Sequence, residues 1–202
     1  MLRYVAASNA VSYLALAAAL AAIHFAARGS FHLTAAMWTL SALFDNFDGA
    51  FASLFKRDEL QKEFGKELDS FIDCIAFGIV PIACLRILAY PRGAALQAAF
   101  AVASLVYLVA TVTRLGHFDI LARRGAKGFV GLPTTEAALV LATVLLFPVP
   151  LDYAWTILIV LSVLMLSPMR IASPTGIWRI LLTAWLVAVG GAHFWMYFAR
   201  VR

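Results

Sequence analysis

Charge is scarce in this chain. Only 13% of its 202 residues are Asp, Glu, Lys or Arg, whereas 63% are hydrophobic, and the mean hydropathy is +0.89. So little charge excludes the solvated surface of a soluble globular domain. Cysteine is scarcer still, with two residues. Cys74 and Cys84 lie ten positions apart on one predicted helix, about 15 Å, which no disulfide can bridge, so they read as core packing. Internal repeats, low-complexity tracts and a soluble extension are missing too. Any chemistry must therefore be done by the bundle itself, and the lack of a repeat disfavours a transporter built from inverted halves. The net charge of +5 comes with nothing that resembles a nucleic-acid groove reader. It points instead to anionic lipid headgroups and a phosphorylated ligand, with no nucleic-acid partner.

What the chain does contain is long apolar runs. Runs of about 20 residues cross a bilayer core of about 30 Å as helices, and seven candidates fall at 8–27, 33–55, 66–90, 95–117, 133–149, 152–168 and 177–199. Pro148, Pro150 and Asp152 break the stretch between Leu139 and Met165, as in a tight turn between two short helices. The expected fold class is all-α: a polytopic transmembrane helical bundle of six core spans and a seventh, forming a single domain over 1–202. Arg3 and the apolar run after it resemble a signal peptide only superficially. The run is long, carries Asn9 and lacks a persuasive cleavage site. Pro81 is expected to kink the third span and open space beneath it. Trp38, Trp155, Trp178 and Trp195 suit interfacial belts and packing.

Cation placement orients the bundle. With a cytoplasmic N-terminus, Arg3, Lys56, Arg57, Lys62, Lys66, Arg114, Arg123, Arg124, Lys127, Arg170 and Arg179 fall on the cytoplasmic side, and Arg28, Arg86, Arg92, Arg200 and Arg202 on the other. That bias satisfies the positive-inside tendency. An integral protein of a prokaryotic cytoplasmic membrane, with its working end on the cytoplasmic side, is expected.

Against this apolar background, four carboxylates stand out. Asp45, Asp48, Gly49 and Ala52 fall on one face of the second span, and Gly65, Asp69 and Asp73 on one face of the third. An ionisable side chain at membrane depth costs about 2.5–3.5 kcal/mol on insertion scales, so such groups usually mark a polar cavity with a function. The two spans are joined by the short polar segment 56–64 and must be antiparallel neighbours, which lets the acidic faces meet. Oxygen ligands of this kind suit Mg²⁺ or Mn²⁺ bridging to substrate phosphates. Interfacial pairing with Lys56, Arg57, Lys62 and Lys66 is the plainer explanation for any one acid. It weakens for the set, because those cations can pair with Asp58, Glu59, Glu63 and Glu67.

At these positions the chain resembles the CDP-alcohol phosphotransferase family, whose signature reads D-x2-D-G-x2-A-R, a spacer, then G-x3-D-x3-D. Asp45, Asp48, Gly49, Ala52, Gly65, Asp69 and Asp73 match it. Ser53 stands where the family has Arg, and the spacer is longer than usual. The resemblance implies that Asp45, Asp48 and Asp69 hold divalent metal on the diphosphate of a CDP-lipid. It further implies that Asp73 is the catalytic base toward the acceptor alcohol, that Gly49, Ala52 and Gly65 line the cytidine pocket, and that the protein is a homodimer. A carboxylate one turn beyond the ligands is also chemically sensible as the base, since a metal-bound carboxylate would be a poor one.

Two further stretches resemble the CDP-diacylglycerol:serine phosphatidyltransferase branch. Leu68 to Pro81 is similar to its L-D-S-x2-D-x3-F-G-x2-P run, while Arg114-Leu-Gly-His-Phe-Asp119 and Gly131-Leu-Pro-Thr134 are similar to its R-L-A-R-F-N and G-L-P-T-P segments. His117, Asp119 and Thr135 depart from the pattern. Arg114 offers an anion site, whereas Asp119 favours an ammonium or hydroxyl partner, and Arg114, His117 and Asp119 are the candidate acceptor-binding residues. The expected reaction is metal-dependent transfer of a phosphatidyl group from CDP-diacylglycerol, or a related CDP-lipid, to a small polar alcohol, with release of CMP. L-Serine leads as acceptor. A polyol, a polyol phosphate or an amino alcohol follows, and a non-catalytic cation-binding membrane protein stands as the reading from another class.

Overall fold

The computed structural model describes residues 6–89, 93–125, 128–147, 150–171 and 176–201, with backbone alone for Phe129, Arg200 and Val201. Arg3, Arg92, Lys127, Pro148 and Arg202 therefore lie outside the described residues, as does the Arg200 side chain. Among the described residues, seven helical segments follow one another, close to the expected spans. They are α1 (Ala10–Ala27, entered through a 3-10 turn at Ala7–Asn9), α2 (Phe31–Ala52), α3 (Glu59–Asp73) running through a π-helical turn (Cys74–Ile79) into α4 (Val80–Ala89), and α5 (Ala94–Arg123). Then come β1 (Phe129–Val130), α6 (Thr134–Val144), α7 (Ala154–Leu166, after a 3-10 turn at Leu151–Tyr153), β2 (Arg170–Ile171) and α8 (Ile177–Val201).

By length and apolarity, four stretches can each cross a membrane: Ala7–Ala27, Glu59–Ala89, Ala94–Arg123 and Ile177–Ala199. Thr134–Val144 and Leu151–Leu166 are shorter apolar helices. α2 is long enough, at 22 residues, but its C-terminal half carries Asp45, Asn46 and Asp48. The 30 residues of α5 extend about 45 Å, beyond a hydrocarbon core of about 30 Å, so its charged C-terminal turns reach headgroup depth.

Small side chains hold the centre together. Ala15, Ala19, Ala22 and Ala26 of α1 are buried along with Ala35 and Ala42 of α2, and Ser41 Oγ donates to the Ala15 carbonyl at 2.8 Å. Without a hydrophobic drive between helices in lipid, such close approach gains van der Waals contact that larger residues would block. α8 lies against α2 in the same way: a Cβ built on Gly190 would sit 2.6 Å from Thr39 Oγ1. Farther along, His193 donates from Nε2 to the Ala142 carbonyl at 2.9 Å, which leaves its Nδ1 to accept from His32 Nδ1, 3.1 Å away. That buried pair pins α8 to α2 and α6 at the end away from the acids.

The expected kink at Pro81 takes a more specific form. Proline lacks an N–H and cannot bond the Phe77 carbonyl four residues back, so the helix widens into the π turn just ahead of it. The Tyr107 hydroxyl of α5 donates to that freed carbonyl at 2.9 Å. Tyr107 is fully buried, so the exchange is made inside the core.

A two-residue antiparallel strand pair, β1 with β2, ties the α5–α6 connection to the α7–α8 connection. Gly131 follows it at φ +74, its N–H bonded to the Met169 carbonyl at 2.8 Å, and a Cβ there would lie 1.9 Å from the Met165 carbonyl oxygen. Only glycine fits both the conformation and the space. This clasp leads directly into Pro133 and the first turn of α6.

Candidate active site

The end of α2, the length of α3, the end of α5, the start of α6 and Leu182 of α8 come together at one end of the bundle. Between them opens a cavity of about 800 Å³ whose walls include Asp45, Asp48, Asp69, Asp73, Arg114, Asp119 and Glu136. Eight of the chain's 11 acidic residues line it, against Lys66, Arg114 and Arg123 as cations, a formal charge of −5. Gathering carboxylates this way is unfavourable unless a cation joins them.

α3 brings its acids to the site from a well-built start. Asp58 caps the helix by accepting from the Gln61 N–H at 2.7 Å, while the Gln61 side chain accepts from the Asp58 N–H at 3.1 Å. This reciprocal box fixes the helical register in which Asp69 and Asp73 follow one turn apart. Oxygen atoms of Asp45, Asp48 and Asp69 lie within 4.8 Å of one another. Three carboxylates this close together fit a shared divalent cation with oxygen ligands.

Neighbouring hydroxyls aim two of these carboxylates. Ser12 Oγ of α1 donates to Asp48 at 2.8 Å, and Thr135 Oγ1 of α6 donates to Asp45 at 2.9 Å. Such outer partners orient metal-binding carboxylates and strengthen binding. Asn46, between the two α2 acids, is tied to α8: its Nδ2 donates to Thr183 Oγ1 at 2.8 Å, and Arg179 donates to its carbonyl at 2.9 Å.

Asp73 is placed differently. It stands outside the three-carboxylate group, its Oδ1 is buried with no hydrogen-bond partner among the described residues, and its carboxyl lies within hydrogen-bond range of Asp45.

Gly49, Ala52 and Gly65 border a second cavity of about 400 Å³, lined also by Asn9, Ser12, Arg57 and Lys66. Asp48 and Asp69 belong to both walls, so the two spaces meet at the carboxylate cluster. Nothing lies within 4 Å of a Cβ built on Gly49, whereas one on Gly65 would meet the Arg57 guanidinium at 3.3 Å. Arg57 is half-buried there, while Ser53 is exposed, its hydroxyl spent on the Ala50 carbonyl at 2.6 Å.

Of the three candidate acceptor residues, the structure brings two to the 800 Å³ cavity. Arg114 is buried, with Phe118 stacked 5.4 Å from its guanidinium carbon, and Asp119 accepts from Ser70 Oγ at 3.2 Å. His117 is exposed and lies outside the walls of both cavities, since Phe118 and Asp119 take the inward face of α5. Of the expected loop pairings, Lys62 does meet Glu59 at 2.7 Å, but Glu67 pairs with Arg123 of α5. Ser12, Arg57 and Glu136 are functional candidates that the sequence pattern did not single out. Glu136 could have been flagged as one of only 11 acids, standing beside the departure at Thr135.

The fold and the site together define a helical membrane protein built around a carboxylate cluster at one end. Residues 5–185 match the CDP-alcohol phosphatidyltransferase family, and the chain belongs to that family. It is 33% identical over 141 residues to the archaetidylserine synthase of Methanothermobacter thermautotrophicus, an alignment covering 69% of this chain and 58% of that protein. It is 34% identical over 102 residues to the CDP-diacylglycerol–serine O-phosphatidyltransferase of Methanocaldococcus jannaschii, covering 50% and 45%. To the protein of the same description from Mycobacterium tuberculosis it is 27% identical over 156 residues, covering 73% and 51%. The chain thus spans about half the length of the curated relatives it matches.

Proposed function

We propose that this chain transfers a phosphatidyl group, diacyl or ether-linked, from a CDP-lipid to the hydroxyl of L-serine, releasing CMP. The observation that carries the reading is the convergence of Asp45, Asp48 and Asp69 to within 4.8 Å with Asp73 beside them, in a chain of this family. The names of the relatives, all serine-linked transferases, favour serine among possible acceptors.

In this reading Asp45, Asp48 and Asp69 hold one or two divalent cations, Mg²⁺ or Mn²⁺, while Ser12 and Thr135 keep two of the carboxylates aimed. Bound there, such a cation neutralises phosphate charge as the bond to the leaving CMP breaks. The cytidine end of the donor lies in the 400 Å³ cavity, close to the backbone of Gly49 and Gly65, with Arg57 facing its phosphates. The acceptor hydroxyl enters the 800 Å³ cavity and forms a new bond to the phosphatidyl phosphorus as the bond to CMP breaks. Asp73 takes the hydroxyl proton, and Arg114 binds the carboxylate of serine. The protein works as a homodimer in the membrane, with the site on the cytoplasmic side, where the cations of the 56–66 segment meet anionic headgroups.

The test is CMP release by the purified protein in nanodiscs containing CDP-diacylglycerol, with Mg²⁺ or Mn²⁺ and one acceptor at a time. L-Serine, glycerol 3-phosphate, inositol and inositol phosphate are compared. Serine-dependent CMP is expected. CMP formed only with another acceptor would overturn the substrate while keeping the chemistry, and divalent-cation flux with no CMP from any acceptor would overturn the transferase reading itself.

A further inference from the structure

We propose that Glu136 is an acceptor-specificity residue, its carboxylate binding the ammonium group of an amino-bearing alcohol in the same cavity in which Arg114 receives the carboxylate. The inference deepens the transferase reading and rests on it.

Glu136 is the third residue of α6, half-buried on the wall of the 800 Å³ cavity. An acid near a helix N-terminus gains modestly from the helix dipole, but less than a charge at membrane depth costs. Glu136 belongs to neither the Lys62–Glu59 nor the Arg123–Glu67 pair; among the groups that act on it are its own backbone N–H and the Arg114 guanidinium across the cavity. The residues just before Glu136 are held in place. Pro133 begins the helix in extended backbone, and the adjacent Thr135 is tethered to Asp45 at 2.9 Å. Glu136 therefore directly follows the residue that is hydrogen-bonded to Asp45, on the wall of the same cavity.

Charge decides what such a residue can recognise. Three of the cavity's eight carboxylates are assigned to divalent cations and Asp73 to the acceptor's proton. Glu67 is paired, Glu63 is shared with the wall of the 400 Å³ cavity, and Asp119 and Glu136 are left. Arg114 feels the charges of Asp73, Glu136, Asp45 and Asp119. A buried guanidinium with carboxylates around it presents both signs to one ligand, which complements a zwitterion. A polyol phosphate would bring two more negative charges beside the donor diphosphate, and the same walls would repel it.

The experiment compares the wild type with Glu136→Gln, an isosteric change that removes only the charge. L-Serine is set against 3-hydroxypropionate, which keeps the hydroxyl and carboxylate but lacks the ammonium. Losing one charge-assisted hydrogen bond is expected to raise the KM for L-serine about 10- to 100-fold, with kcat and the KM for CDP-diacylglycerol within about twofold. The preference for serine over 3-hydroxypropionate should fall by the same factor, and Glu136→Asp should recover part of it. A purely helix-capping role for Glu136 would lower Tm and leave that preference intact, which overturns the proposal. Calorimetric titration of L-serine onto CDP-loaded protein reads the same contact without turnover. Absence of serine binding to the wild type would sink the acceptor reading and this inference together. Serine use by the wild type with an unchanged preference in Glu136→Gln would sink this inference alone.

Discussion

Replacing Asp73 by Asn should separate chemistry from binding. The side chain keeps its shape, and the new amide can donate to Asp45, with which Asp73 already lies in hydrogen-bond range. It also removes one negative charge from a cavity lined by eight carboxylates and three cations. Carboxyls in hydrogen-bond range repel whenever both are charged, so removing one should let Tm in detergent without metal hold or rise. If Asp73 is the base, what is lost is the acceptor for the alcohol's hydroxyl proton. A positioned base contributes about 10²- to 10⁴-fold, so kcat should fall by that factor, a barrier increase of about 2.7–5.4 kcal/mol. Metal-dependent CDP-lipid affinity should stay within about threefold of wild type. Asp69→Asn removes a member of the three-oxygen group and should weaken that affinity itself. The assays are steady-state CMP release and equilibrium CDP-lipid binding with and without EDTA. Equal loss of binding in both variants, or Asp73→Asn retaining more than about a tenth of wild-type kcat, would refute the division of roles.

The remaining predictions concern how the site is held. Ser12→Ala and Thr135→Ala each strip a hydroxyl from a ligand carboxylate and should reduce Mn²⁺ affinity about 10-fold, read by metal titration of activity. Unchanged affinity would mean that those hydrogen bonds do not aim the ligands. Gly131→Ala places a Cβ 1.9 Å from the Met165 carbonyl in a left-handed residue and should cost about 3 kcal/mol or more, lowering Tm by roughly 6–12 °C. A Tm within one or two degrees of wild type would deny the clasp its structural role. Arg57→Ala should raise the KM for CDP-lipid about 10-fold, because a half-buried guanidinium on the donor cavity is lost. Ser53→Arg alone should bring no gain of turnover, but in the Arg57→Ala background it should recover part of the loss; a large gain in the single variant would show the wild type to be impaired at that position.

Much of the fold was legible because apolar run length is a direct physical requirement of spanning. The helices Ala10–Ala27, Ala94–Arg123 and Ile177–Val201 fall close to the runs 8–27, 95–117 and 177–199. The acids were legible for the complementary reason, since charge is costly in those runs and helical spacing sets the shared face. The π turn was only half legible. Pro81 announces a missing N–H, but the hydroxyl that takes up the Phe77 carbonyl comes from Tyr107, 30 residues away. The same holds for the site's supports. Ser12 meets Asp48 across 36 residues and Thr135 meets Asp45 across 90, pairings that only the fold creates. On α5, spacing alone could not say which of His117, Phe118 and Asp119 turns inward. The structure turns Phe118 and Asp119 to the cavity and His117 away.

The most direct measurement of the central claim follows an oxygen atom. Purified protein in nanodiscs of CDP-diacylglycerol would be given Mn²⁺ and L-serine labelled with ¹⁸O in its side-chain hydroxyl, and the lipid and nucleotide products weighed by mass spectrometry. Attack of that hydroxyl on the phosphatidyl phosphorus predicts a serine-containing phospholipid that carries the label and an equal amount of unlabelled CMP. CMP without labelled lipid, or no CMP at all, would contradict the account.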